Sequence, residues 1–329
     1  MAKGAKGAGA TGRKTRGAAG SPAAGEVLGV RVTHPDKLLF PEDGITKLEL
    51  ADYYARLAPV ILKYVARRPL TLVTFPQGIG RPGIYMKRLP KGAPPWIETF
   101  RDQPEPVRAG QEKEPVDYVI ARDGSDARTL VWTAQYNAIE VHPWLSQIEH
   151  PDRPDWAVLD LDLHGAAGEE PGAFPRLVAA ARRLRERLAA RGLEAFPKLS
   201  GQTGIHLLLP LEPVHSFDAV RAFLVAEANA ACADDPALLT TDYEVAARGG
   251  RVLIDYAQNS RGRHTVAPYS VRPRRGAPVS APVTWAELDE PGLRADRWTL
   301  RTIEERLARA GDVLAPALAG RRRLPLPSR

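Results

Sequence analysis

Apolar and polar positions alternate strictly in three stretches of the chain, and each stretch carries an acid or a histidine on its polar side. In Trp156–Gly165 an extended backbone puts Ala157, Leu159, Leu161 and Leu163 on one face and Val158, Asp160 and Asp162 on the other. In Lys198–Pro210 a turn of small residues feeds a strand with Ile205, Leu207 and Leu209 facing one way and His206 the other. In Arg248–Tyr256 the side chains of Val252, Ile254 and Tyr256 share a face opposite Asp255. Each pattern predicts a strand with its aliphatic side on a core. A fourth run, Leu70–Phe75, is apolar throughout and reads as a buried strand.

Helical spacing appears elsewhere. Leu50, Tyr53, Tyr54, Leu57 and Ile61 form an apolar face behind the capping box Thr46-Lys47-Leu48-Glu49, with Pro59 expected to kink or divide the helix. Thr33–Phe40 leads into it through a turn at Pro41–Gly44. Phe174, Leu177, Val178, Ala181, Leu184 and Leu188 mark a second helix ending at Gly192, with a solvated Arg-rich outer face. Ser216 caps a third, carrying Phe217, Val220, Phe223 and Leu224. Val116–Ile120 and Thr129–Trp132 predict a hairpin around Asp123-Gly124, followed by a short helical piece at Tyr136–Ile139. Gly78-Ile79-Gly80-Arg81-Pro82-Gly83 matches a dinucleotide fingerprint by letter only. That motif needs a helix opening within the glycines, and Pro76, Pro82 and the extended piece after them predict a loop.

The chain has 329 residues, enough for one large domain or two lobes, and a net charge of +7. A sequence pI near 9.6 favours an anionic partner, nucleic acid first. The single Cys232, in a helical apolar setting, excludes an internal disulfide and fits a reducing cytosol. No apolar run is long enough to span a membrane, and the N-terminus lacks a signal peptide's apolar segment. Met1–Gly25 contains no acidic residue and too little apolar surface to fold, so order is expected from about Val27. This tail reads as a solubilising segment or a phosphate-binding arm.

Asp160 and Asp162 stand side by side with no intervening Lys or Arg. Paired carboxylates suit a hard divalent ion, although surface aspartates produce the same pattern. Glycines around Ser200 let backbone N–H groups approach phosphate oxygens, and Ser200 and His206 add donors. A structural turn with a core histidine fits that stretch equally well. His142, in Val141-His142-Pro143-Trp144, reads by itself as a packed, hydrogen-bonded histidine. Lys87, Arg88 and Lys91, interleaved with Tyr85 and Trp96, suit a nucleic-acid strand or a solvated basic loop. If the three alternating strands are adjacent in one sheet, three carboxylates face a histidine and the arginines Arg261, Arg263 and Arg272. That is the chemistry of nucleotidyl transfer, with metals on Asp160, Asp162 and Asp255 and a triphosphate held by arginines and the glycine turn.

Several ordered motifs together resemble a known family. They are Pro35-Asp36-Lys37, Gly44-Ile45-Thr46-Lys47, Leu159-Asp160-Leu161-Asp162, Ser200-Gly201…Gly204…His206, Arg248…Asp255-Tyr256…Gln258-Asn259…Arg261-Gly262 and Ala267-Pro268-Tyr269-Ser270-Val271-Arg272. The set is similar to the polymerase domain of bacterial DNA ligase D, in the archaeo-eukaryotic primase superfamily, from about Val27 to Arg323. The resemblance implies a two-lobed α/β (α+β) fold with an RRM-like antiparallel catalytic sheet flanked by helices. It divides the chain into a tail (1–26), an N-terminal lobe (about 27–150), a catalytic lobe (about 151–290) and a C-terminal helical segment (about 291–323).

The resemblance also implies Mn²⁺- or Mg²⁺-dependent primer extension and gap filling in end joining or gap repair, with a preference for ribonucleotides. Asp160, Asp162 and Asp255 then hold two metals. Ser200, His206 and Arg272 contact the incoming nucleoside triphosphate, with His142 nearby. Arg248 sits on a loop that positions primer and template, and Lys37 and Lys47 grip a 5′-phosphate. Tyr85, Lys87 and Lys91 complete the DNA surface. The implied partners are gapped, overhanging or 5′-phosphorylated DNA, a separate ligase and the Ku end-binding protein, in a bacterial cytoplasm at the nucleoid. A monomeric, stand-alone form is expected. Three positions depart from the family pattern. Thr203 and Val245 replace lysines, and Ile84-Tyr85 replaces a pair of aromatics. The rival functions are a metal-dependent phosphodiesterase and a non-catalytic DNA-end-binding module.

Overall fold

The computed structural model describes residues 25–104, 114–163 and 172–326. The basic tail up to residue 24, and His164-Gly165 at the end of the acidic strand, lie outside the described residues. The first described strand, β1 (Gly25–Val27), pairs with β2 (Val30–Val32). The strands β3 (Leu38–Phe40) and β4 (Ile45–Thr46) pair around a 3₁₀ turn, and Gly44 supplies the left-handed φ of +65° that reverses the chain. Helix α1 (Lys47–Val65) follows. Thr46 Oγ1 accepts the Glu49 N–H at 3.1 Å, as a capping residue should. Pro59 does not divide the helix, and buried Tyr53, Tyr54, Leu57, Ala58, Ile61 and Leu62 hold it to the core on both sides of the proline.

The N-terminal sheet is built on β5 (Leu70–Thr74), buried along its whole length. β9 (Ala138–Pro143) pairs with one edge of it, and β6 (Ile84–Met86) and β8 (Val116–Ile120) with the other; β7 (Glu98–Asp102) extends β8. The glycine-rich segment before β6 opens no helix, as its prolines indicated.

Two local expectations fail here. Thr129–Trp132 is not a strand but part of helix α2 (Ala127–Gln135). Asp126 caps the helix by accepting the Thr129 N–H at 3.3 Å, and Asp123 accepts from Ser125, so the Asp-Gly turn opens a helix instead of closing a hairpin. A short apolar run fits either state, and here Leu130, Val131 and Trp132 bury against α1. Tyr136–Ile139 is not helical either. Asn137 takes a left-handed φ of +60°, which asparagine tolerates, and Ala138 opens β9.

The second sheet has five strands among the described residues, in the order β11 (Phe196–Leu199), β12 (Ile205–Pro210), β10 (Trp156–Asp162), β14 (Val252–Asp255), β13 (Leu239–Thr240). All its pairings are antiparallel except β13 with β14. Its aliphatic face, formed by Leu159, Leu161, Ile205, Leu207, Val252 and Ile254, packs on helices α3 (Ala173–Ala190) and α4 (Phe217–Asp234). Val158 and Leu208 point the other way and join the core beneath the first sheet. Short helices α5 (Ile303–Ala310) and α6 (Ala315–Ala319) close the chain. A buried bidentate pair, Arg68 with Asp155 at 2.6 Å, ties the entry of β5 to the entry of β10, and Arg321 reaches the same carboxylate at 3.1 Å.

Candidate active site

Sheet register draws the polar residues of four strands into one row. Asp160 on β10 lies opposite His206 on β12 and Asp255 on β14, and His206 lies opposite Lys198 on β11. Directly opposed residues share a face. The row therefore reads Lys198, His206, Asp160, Asp255, with Asp162 two residues further along the same face of β10. His206 Nε2 is 3.4 Å from Asp160 Oδ1, and Lys198 Nζ is 3.0 Å from His206 Nδ1. Thr203 donates its hydroxyl to Asp162 Oδ1 at 3.2 Å; Tyr243 donates to Asp255 Oδ1 at 2.8 Å. Burial, then the charges of Asp162 and Asp255, push the Asp160 carboxyl up to about 7.

The facing wall comes from the first sheet. Tyr85 and Glu140 flank Val73 in register, and His142 follows Glu140 on the same face. Glu140 Oε1 pairs with Arg272 Nε at 2.8 Å, and its other oxygen is 3.6 Å from His142 Nε2. Burial works to raise the Glu140 carboxyl, but His142 and Arg272 outweigh it and hold it below its ordinary value. Between the walls lies a cleft of about 1070 Å³. Ser200 begins the turn at its floor, where its Oγ accepts the N–H groups of Gln202 at 3.1 Å and Gly204 at 2.9 Å.

Asp160, Asp162, Asp255, Ser200, His206, Arg272, His142, Tyr85 and Lys87 all line this cleft. Lys37, Lys47, Lys91 and Arg248 stand outside its lining. Lys37 and Lys47 lie together before and at the start of α1, where Lys47 is buried and bonds the Thr33 carbonyl at 3.0 Å. Arg248 is buried as well, and turns back onto the carbonyls of Asp242 at 3.1 Å and Tyr243 at 2.8 Å. Lys91 is exposed.

The family model described as "LigD, primase-polymerase domain" matches residues 46–314. The chain belongs to that family. It is 38% identical over 298 residues to the multifunctional non-homologous end joining DNA repair protein LigD of Mycobacterium tuberculosis, covering 87% of this chain and 36% of that protein. The Pseudomonas aeruginosa multifunctional non-homologous end joining protein LigD is 36% identical over 301 residues, covering 91% of this chain and 34% of that one. The chain thus spans about a third of the length of these curated relatives. A solved structure, the polymerase domain from Mycobacterium tuberculosis ligase D in complex with DNA, aligns with a TM-score of 0.78 at 34% identity. That alignment covers 89% of this chain and 99% of the other.

As a primase-polymerase domain, the chain carries its acids in a set that fits a divalent cation in charge and ligand type. Three carboxylates converge, and burial followed by the charges of Asp162 and Asp255 raises the proton affinity of Asp160 despite the opposing charges of Lys198 and Arg272. Among the described residues no group of three or more His, Cys, Asp and Glu side chains is drawn close enough to hold an ion as it stands.

Sequence reasoning overlooked Glu140, His264 and Lys198 as members of this site. Glu140 and His142 alternate on one strand, a signal hidden by reading the preceding residues as helical. His264 approaches His142, Nδ1 to Nδ1, at 3.3 Å, and nothing in its local sequence marks it. Lys198 interrupts an apolar strand, which was the available clue.

Proposed function

We propose that this domain is a metal-dependent nucleotidyltransferase that extends DNA primers and fills gaps at breaks, with a preference for ribonucleotides. The observation that carries the reading is the register setting Asp160 against both Asp255 and His206, in a cleft that also holds Ser200 and Arg272. Asp160, Asp162 and Asp255 would hold Mn²⁺ or Mg²⁺. A divalent ion there would lower the pKa of a primer 3′-hydroxyl and offset charge on the triphosphate. The chain's own residues bind and orient. The Ser200 oxygen accepts two backbone N–H groups, so its hydroxyl hydrogen remains to donate to a phosphate. Arg272, steadied by Glu140, offers its guanidinium to the same anion, with His206 and His142 alongside.

Tyr85, 63% exposed, would stack on a template base, and Lys87 and Lys91 would meet backbone phosphates. Lys37 and Lys47 would receive a 5′-phosphate across the gap. Arg248 would act through the backbone of the Asp242–Tyr243 loop. The substrates are then gapped, overhanging or 5′-phosphorylated DNA with nucleoside triphosphates. A ligase and the Ku end-binding protein would be partners in end joining at the nucleoid. No described helix is long and apolar enough to cross a membrane.

The test is extension of a labelled primer on gapped DNA bearing a downstream 5′-phosphate, with Mn²⁺ and either ribo- or deoxyribonucleotides. Templated addition, stronger with ribonucleotides and abolished by Asp160→Ala without loss of DNA binding, is the expected result. Shortening of the strand without nucleotides would instead establish a phosphodiesterase, and tight binding with no addition an end-binding module.

A further inference from the structure

The loop after β14 is tied to both sheets. Asn259 grips β10, accepting the Val158 N–H at 2.9 Å and donating to the Val158 carbonyl at 2.7 Å. Two residues on, Arg261 lines the cleft and reaches the first sheet. Its terminal nitrogens meet both oxygens of Asp102, the last residue of β7, at 2.8 and 3.4 Å. Its Nε donates at 2.5 Å to Asp152, in the connection between β9 and β10. The guanidinium also lies over the Trp144 ring, 5.6 Å from its centre, and Phe100 and Tyr118 hold that ring edge-on. Gly262 then turns the chain with a φ of +74°, and the residues after it run beside β9, where the Ala267 N–H donates to the Val141 carbonyl at 2.9 Å. His264 is thereby brought against His142 in the cleft. We propose that Arg261 is a positioning residue that fixes the spacing of the cleft's two walls and the seat of Gly262–Val266, so that an incoming nucleoside triphosphate meets a preset surface.

For its ligand the proposal rests on the polymerase reading; the tie itself does not. Asp102 is buried, whereas the Asp152 side chain is 72% exposed. Replacing a buried ion pair by apolar side chains is commonly neutral or stabilising, so stability alone is weak ground for a carboxylate buried at the end of β7. What a guanidinium adds is geometry. It presents five N–H donors in a rigid planar fork, and here three of its nitrogens engage two carboxylates from different parts of the fold. Arg261 is thus directed at the protein, and the cleft residues that follow it inherit their place from that anchorage.

Two variants of the full chain test it. Asp152→Ala removes one anchor at an exposed position and should leave the unfolding midpoint unchanged. Arg261→Lys keeps a cation beside Asp102 but loses the fork. Hydrogen exchange at the Thr265 and Ala267 amides, which donate to Pro143 and Val141, reads the seat of the segment directly. Exchange there should quicken on the order of tenfold in Arg261→Lys, and by a smaller factor in Asp152→Ala. Both variants should raise nucleotide KM several-fold in gap filling, with kcat nearly unchanged. Loss of an acid would by itself favour an anion, so a lower KM in Asp152→Ala overturns the proposal. Unchanged exchange and KM in that variant overturn it too, whether or not Arg261→Lys folds. A lower unfolding midpoint of Arg261→Lys with wild-type KM would reduce the tie to a structural one and overturn the positioning role. Failure of the wild type to extend primers would remove the polymerase reading, whereas unchanged exchange and KM in variants of an active polymerase would remove only this inference.

Discussion

Lys47 shows how one residue's surroundings set its response to pH. Burial, and then the neighbouring Lys37, lower its ammonium from 10.5 to about 8. Below about 8 it is charged in both folded and unfolded chains, so the cost of burying the charge is fully present. Between about 8 and 10.5 the folded chain has lost the proton and the unfolded chain keeps it, so stability rises with pH across that window. A 5′-phosphate beside the pair needs the charged form. The preference for 5′-phosphorylated over 5′-hydroxyl DNA should therefore fall as pH rises from about 7 to about 9, and Lys47→Met should flatten that dependence. Equal preference across the range in titrations of the wild type would refute the assignment. Thr203 offers the complementary experiment. Its hydroxyl touches Asp162. Thr203→Lys should lower KM for the nucleotide several-fold with little change in kcat, because a cation is added near the triphosphate's path.

At the scale of elements, the contact between β10 and the turn before β12 leaves no room for a side chain. A Cβ on Gly204 would lie 2.4 Å from the Leu161 carbonyl oxygen, a backbone atom that cannot swing away. Gly204→Ala should part the two strands beside Asp160 and Asp162. Extension should be lost together with about 1–3 kcal/mol of stability, read from denaturant unfolding. An active, fully stable Gly204→Ala protein would show that the strands can separate at no cost to the site. The same scale explains the misread stretch after β8. Thr129–Trp132 is too short and too uniformly apolar for periodicity to decide, and packing against α1 settled it as helix.

For the whole molecule, Asp155 is the junction. It precedes the acidic strand, pairs with Arg68 from the first sheet and receives Arg321 from the chain's end, with both Arg68 and Asp155 almost fully buried. Removing one partner of a buried pair strands the other charge. Arg68→Met should cost about 3–5 kcal/mol, discounted to the extent that Arg321 compensates, and Arg68→Met with Asp155→Leu should recover much of it. A single variant as stable as wild type in chemical denaturation would count against the junction. Because the pair spans both sheets, the single variant should also widen the cleft and raise nucleotide KM.

The sequence by itself determined which strands lay an aliphatic face on a core and which residues stand on their polar side. Alternation in Trp156–Asp162, Ile205–Leu209 and Val252–Asp255 is a local property of an extended chain, and each aliphatic face found a core. Local capping chemistry marked the starts of α1 and α4 equally well. What no local pattern contains is register. Only tertiary pairing decided that Asp160 meets both His206 and Asp255, that Lys198 ends the same row, and that Glu140 reaches Arg272 from the other sheet. Apart from Lys198 and His206, the paired residues lie far apart in the chain, and a slip of one residue would turn each side chain to the opposite face. The tertiary fold likewise buried Arg248 and Lys47, whose charges in the sequence read as surface, because burial depends on what the rest of the chain packs over them.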